Sequence, residues 1–340
     1  MSVVAGSRTR RRRSVATASG VLALVLVVLF VASLTLGSYS ISPANLIATL
    51  TGSGESGDRF IVLGLRLPRA TVAVLVGVAF ALAGALFQSL LGNPLASPDI
   101  LGVTGGASAA AVTALLVLGL SGPAVAASAG GGALLVAAAI YLLSWRAGVH
   151  GYRFVLVGVA VSFLVEAMLG YLLTRADVRD AQSALVWLVG SLSGARWEDA
   201  ALVALGLAVL LPVLMLLTPH LLVLQLGDDT ATGLGVRAAP ARTMALALAV
   251  AMAALGTAAV GPIAFVAFVS APIARRIVRD GLALGASALV GAIIVLASDL
   301  AGQHLLPGGL QVPAGIITGA VGAPYLLWLL ARAQRSGGLA

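Results

Sequence analysis

Arg66 and Arg69 flank Leu67-Pro68 at the start of a long apolar run. Guanidinium forks at such a place suit bidentate pairing with carboxylates. They could equally snorkel, with their stems along lipid and their heads at the interface. Further along, Gln88 and Asn93-Pro94-Leu95-Ala96 set polar side chains beside an apolar one where that run breaks. Such a mixture can gate a pathway, because closure needs dry packing and opening needs wettable walls. Asn93 could instead satisfy backbone groups freed beside Pro94, and Gln88 could line the same path or bond between helices. A third cluster, Leu226-Gly227-Asp228-Asp229 running on to Ala231, Leu234 and Gly235, predicts short helices broken at Gly233 or Gly235. Either aspartate would then sit near a helix N-terminus, where negative charge is favourable. A merely solvated loop is the plainer reading.

Other chemistry is thin. Glu166 and Asp299 lie within or at the ends of apolar runs, and intramembrane carboxylates are functional candidates by default. A proton relay needs several such groups in register, and two give it little support. His150, His220 and His304 are scattered, without cysteine or carboxylate partners at ligand spacing, so no metal site is expected. The chain has no cysteine, which excludes disulfides and thiol catalysis. It also lacks lysine, so it cannot contain the phosphate loop Gly-x-x-x-x-Gly-Lys-Ser/Thr; any ATP must be handled by a partner. No paired catalytic carboxylates or serine–histidine arrangement point to an enzyme.

The elements that must position these residues follow from composition. With 60% hydrophobic residues, 9% charged residues and a mean hydropathy of +1.09 over 340 residues, the chain cannot cover a soluble globule. A bilayer core asks for about 20 apolar residues per helix. Runs of this kind occur at 17–38, 68–90, 103–121, 124–145, 153–173, 200–218, 241–258, 262–278, 283–301 and 312–332, about ten spans. The run at 262–278 is the weakest, broken by Pro262 and Pro272 and closed by Arg275 and Arg276. The expected class is all-α: a basic tail at 1–16, one transmembrane domain at 17–332 and a second tail at 333–340.

With an even number of spans, both tails share a side with Arg146, Arg153, Arg237, Arg242, Arg275, Arg276 and Arg279, which makes that side cytoplasmic. Arg66 and Arg69 then fall at the outer surface and Asn93 at the inner one. The net charge of +8 does not indicate nucleic acid, because the arginines gather between apolar runs without interleaved aromatics. Residues 92–108, "GNPLASPDILGVTGGAS", interrupt the oily pattern at that inner end. Pro94 and Pro98 stop the helix, and irregular backbone at membrane depth must line something wet or packed. Gly102, Gly105, Gly106 and the small residues Ala107–Ala111 then permit close helix approach.

The stretch "LRLPRATVAVLVGVAFALAGALFQSLLGNPLASPDILGVTGGAS" resembles the signature of the FecCD family, permease subunits of ABC importers for iron–siderophores, haem and vitamin B12. "WLVGSLSGARW", "LGDDTATGLGV", "GPIAFVAFVSAPIARR" and "VPAGIITGAVGAPYLLWLL" are similar to its later blocks in the same order, so the resemblance runs from about Ile41 onward. It implies the ten-helix type II permease fold in a bacterial inner membrane. It also implies a second permease, identical or paralogous, two cytoplasmic ATP-binding subunits that carry ATP and Mg, and an extracytoplasmic binding protein. Ferric siderophore is the cargo expected, with vitamin B12 or haem as alternatives; an ion-coupled secondary transporter is the competing class. By the same resemblance Arg66 and Arg69 would dock acidic residues of the binding protein, Asn93 and Leu95 would narrow the inner pathway beside Gln88, and Leu226–Val236 would couple to the ATP-binding subunit. Two departures stand out. Gln303, beside His304, occupies a position that is basic in some members, and Pro272-Ile273 replaces a common Pro-His or Pro-Gln.

Overall fold

A computed structural model of the chain describes residues 2–37, 39–99, 102–144, 151–278, 281–306 and 309–335. Arg146, His150, Arg279 and Asp280 lie outside these residues. The described residues form fourteen α-helices and one π-helical turn, with no strand among them. The order is α1 (Ser2–Thr35), α2 (Pro43–Leu50), α3 (Ser56–Arg59), the π-helical Phe60–Arg66, α4 (Leu67–Leu91), α5 (Val103–Leu116), α6 (Pro123–Ser144), α7 (Gly151–Arg175), α8 (Val178–Val189), α9 (Trp197–Leu224), α10 (Asp228–Gly233), α11 (Ala238–Val260), α12 (Val266–Val278), α13 (Leu284–His304) and α14 (Ala314–Arg335).

Each of the ten apolar runs has its helix. Among the described residues seven are long and apolar enough to cross a membrane, while α5 and the apolar part of α14 are shorter. The run at 262–278 yields only the thirteen residues of α12. Its first residues are an irregular entry instead, where α11 ends on left-handed Gly261, Pro262 follows and Phe265 takes φ 66°.

The core centres on α4, which packs against α9, α11, α12 and α13. Its alanines, valines and glycines leave little side chain to separate backbones, as close packing between membrane helices requires. Gly77 of α4 and Gly291 of α13 lie back to back: a Cβ on Gly77 would meet the Gly291 carbonyl at 2.5 Å. A second layer is built from α5, α6 and α7, with Gly106 of α5 pressed against Gly132 and Val136 of α6. The small residues after the break therefore pack as their sizes suggested. α1 and α7 lie at the margin, with Val21, Leu24 and Val28 exposed on one and Phe163, Leu164 and Met168 on the other.

Candidate functional site

At the N-terminal end of α4 the two arginines point back into the protein. The Arg66 guanidinium donates to the carbonyls of Leu34 at 2.8 Å and Tyr39 at 2.5 Å, satisfying backbone groups where α1 ends. Arg69 makes the bidentate pair its fork favours, but within the chain: Nε and Nη2 donate to Asp299 Oδ2 and Oδ1 at 2.9 and 2.7 Å. Gln303 Nε2 donates to the same Oδ2 at 2.8 Å. Asp299 is thus a buried, ion-paired carboxylate joining α13 to α4, while Arg69 keeps 21% of its side chain exposed. No local pattern relates positions 230 apart, so the pairing could not be read from spacing.

The C-terminal end of α4 carries a second polar cluster. Gly92 takes the left-handed conformation that ends helices, with its N–H returned to the Gln88 carbonyl. Asn93 Oδ1 then accepts the Leu95 N–H at 2.9 Å, the turn-forming role, with its side chain exposed and Leu95 partly buried. Gln88 is buried and bonds between helices: its Nε2 donates to the Phe268 carbonyl at 2.9 Å, and its Oε1 accepts from Arg275 of α12. Below them opens a cavity of about 540 Å³, lined by Gln88, Gly92, Pro94, Gln225, Arg242 and Arg275 among others. The break therefore borders open space on one side while Ala96, Ser97 and Pro98 pack into protein on the other. Between α4 and α5, burial pushes the Asp99 carboxyl up to about 6, and a hydrogen bond from Thr104 partly opposes this.

The third cluster does form a short helix. α10 starts at Asp228 with Asp228 and Asp229 in its first turn, ends at Gly233, and is followed by left-handed Gly235. Ala231 is buried while Leu226 and Leu234 are exposed at either side. Arg242, an arginine of the charge count with no assigned role, holds Asp228 Oδ1 at 2.7 Å and the Leu90 carbonyl at 2.8 Å. Its acidic neighbour and the open helix end of α4 are joined only in the fold, so Arg242 and Arg275 were missed as site residues.

None of the three remaining candidates is buried in a cluster. Glu166 is exposed on α7, and His220 and His304 are exposed on α9 and at the end of α13. No group of three metal-ligating side chains occurs among the described residues. A larger cavity of about 1020 Å³ between α6, α8, α9 and α11 is lined by Trp187, Ser191, Glu198 and many apolar residues. None of the sequence-predicted site residues line it.

Polar clusters at both ends of one buried helix, beside a short exposed helix, are a frame that comparison can place. The FecCD transport family matches residues 25–332. The chain belongs to that family. Among its relatives, the achromobactin transport system permease protein CbrC of Dickeya dadantii is 42% identical over 95% of this chain and 93% of its own length. The Fe(3+)-citrate import system permease protein YfmE of Bacillus subtilis is 37% identical over 95% and 97%. The ferric enterobactin transport system permease protein FepG of Escherichia coli is 35% identical over 88% and 91%. A solved metal-chelate type ABC transporter in an inward-facing conformation superposes with a TM-score of 0.82 at 27% identity, covering 92% of this chain and 98% of that one. This FecCD chain is accordingly an integral membrane protein of a transport family, with the all-α permease fold.

Proposed function

We propose that this chain is the permease subunit of an ATP-driven importer carrying ferric siderophores into the cytoplasm. The observation that carries this is near full-length similarity to permeases named for achromobactin, ferric citrate and ferric enterobactin, at 35% to 42% identity. Chelated iron arrives with its coordination filled, which suits a chain with no cluster of metal ligands among its described residues.

Because the chain has no lysine and hence no phosphate loop, hydrolysis belongs to two cytoplasmic ATP-binding subunits. α10 is the element that meets them: short, exposed, and flanked by Leu226 and Leu234. Asn93, Leu95 and the cavity beneath Gln88 form the inner end of the pathway. Arginine bias supports both termini lying on that same inner side of a bacterial cell membrane. Arg66 and Arg69 lie at the outer end, where the exposed edge of Arg69 is available to an acidic residue of an extracytoplasmic binding protein. The second permease packs along α7, since Glu166 exposed within a membrane span belongs at a protein or water-filled surface rather than in lipid.

The test is uptake of radiolabelled iron on ferric citrate, achromobactin, enterobactin and a hydroxamate, beside labelled vitamin B12 and haem, in cells with and without the gene. Loss confined to one ferric-chelate class is the expected result. Loss of vitamin B12 or haem uptake alone would overturn the cargo assignment.

A further inference from the structure

We propose that Arg242 is the positioning residue that ties the ATPase-facing helix α10 to the inner-gate end of α4. This rests on the reading of α10 as the docking element and of Asn93–Leu95 as the gate. α10 itself packs on α9 and α11. The bridge from it to α4 is a side chain: Arg242 of α11 donates from Nε and Nη2 to Asp228 Oδ1, at 3.2 and 2.7 Å, and from Nη1 to the Leu90 carbonyl at 2.8 Å.

Both ends of the bridge have a physical reason. Leu90 is the penultimate residue of α4, so its carbonyl has no partner within the helix, and a cation is favourable at the negative end of a helix dipole. Asp228 opens α10, where a carboxylate is favoured in turn. The Asp228 pair is half exposed, with 58% of the aspartate side chain accessible, and alone would contribute little. The fork converts it into a link, because one rigid guanidinium holds both partners at fixed separation. A lysine ammonium is a single point on a flexible stem and cannot hold that geometry.

The placement gives the link something to move. Leu90 lies two residues before left-handed Gly92 and three before Asn93, so a pull on its carbonyl acts at the base of the gate turn. Arg242, Gly92, Pro94 and Gly227 share the wall of the 540 Å³ cavity, so the joint has open space beside it. A second tie, Gln225 Nε2 to Ser89 Oγ, is long at 3.4 Å and joins neutral groups. The charge-assisted link is the stronger of the two.

The absence of native cysteine makes a single thiol a clean reporter. Leu95→Cys would be introduced into the full chain, co-expressed with its ATP-binding subunits in native membranes. Thiol labelling rate would be compared without nucleotide and with ATP and vanadate. The expected result is a nucleotide-dependent change in labelling that Arg242→Gln and Asp228→Asn abolish, Arg242→Lys fails to restore, and Gln225→Ala leaves in place. The ATP-binding subunits should co-purify with Arg242→Gln as they do with the parent. A full nucleotide response in Arg242→Gln overturns the proposal, as does loss of co-purification in that variant, which would make Arg242 part of the docking surface alone. No nucleotide response in the Leu95→Cys parent overturns the gate placement. Failure of the parent to co-purify with any ATP-binding subunit counts against the importer reading itself and is told apart by that readout.

Discussion

The Arg69–Asp299 pair combines a carboxylate that is almost fully buried with a guanidinium that still reaches solvent. Removing one member of a buried pair costs about 3–5 kcal/mol because the other charge is stranded, and the exposure of Arg69 moves this case to the lower end. Asp299→Ala should therefore lower the thermal midpoint of the purified permease clearly more than the double change Arg69→Met, Asp299→Leu, which strands no charge; equal losses would mean that the pair has no coupling. Asp99 makes a prediction of opposite kind. Its carboxyl, raised from 3.8 to about 6 by burial, binds its proton more tightly in the folded protein than in the unfolded chain. The stability it contributes is therefore full below pH 3.8 and lost as pH rises through about 6. Asp99→Asn, which stays neutral, should raise the thermal midpoint at neutral pH, with the gain shrinking as pH falls through that range. A gain independent of pH would show that ionisation is not its source.

Between elements, contact between α4 and α13 is set by two glycines facing each other, where added atoms meet backbone that no rotamer change can relieve. Overpacking a tight contact costs about 1–3 kcal/mol, so Gly77→Ala and Gly291→Ala should each reduce the yield of folded permease in membranes. Gly130→Ala on α6, whose Cβ would sit 3.8 Å from Ala258, should not. If all three behave alike, glycine content rather than this crossing governs assembly. The spans themselves were legible because length and apolarity decide them, and α10 was legible because two aspartates and two glycines punctuate it. α8 was not among the apolar runs, since Arg179, Asp180 and Gln182 interrupt its apolar face. The break after Gln88 was legible from Pro94 and Pro98, yet what it borders was not, because the cavity is made by residues of α9, α11 and α12. Likewise Arg66, Arg69 and Arg242 announced themselves as charges, while their partners Leu34, Asp299 and Leu90 are supplied by distant helices.

For the whole molecule, the exposed face of α7 is the place where a single chain looks incomplete. Phe163, three residues before Glu166 and on the same side of the helix, makes it an apolar surface interrupted by one carboxylate. Lipid does not welcome that carboxylate, whereas a second permease around a hydrated pathway can accommodate it. A photo-crosslinker placed at Phe163 should therefore capture a second permease chain in native membranes; adducts with lipid alone would contradict this arrangement. ATP on partner subunits as the driving force, with ferric chelates as the cargo, is what the whole assembly puts to the test. It is tested most directly by reconstituting the permease with its ATP-binding subunits and binding protein in proteoliposomes, and following entry of the radiolabelled ferric chelate that the cellular assay selects. The expected result is uptake that requires ATP, stops when hydrolysis is blocked, and survives collapse of proton and sodium gradients. Uptake that ignores ATP and vanishes with the gradients would contradict it.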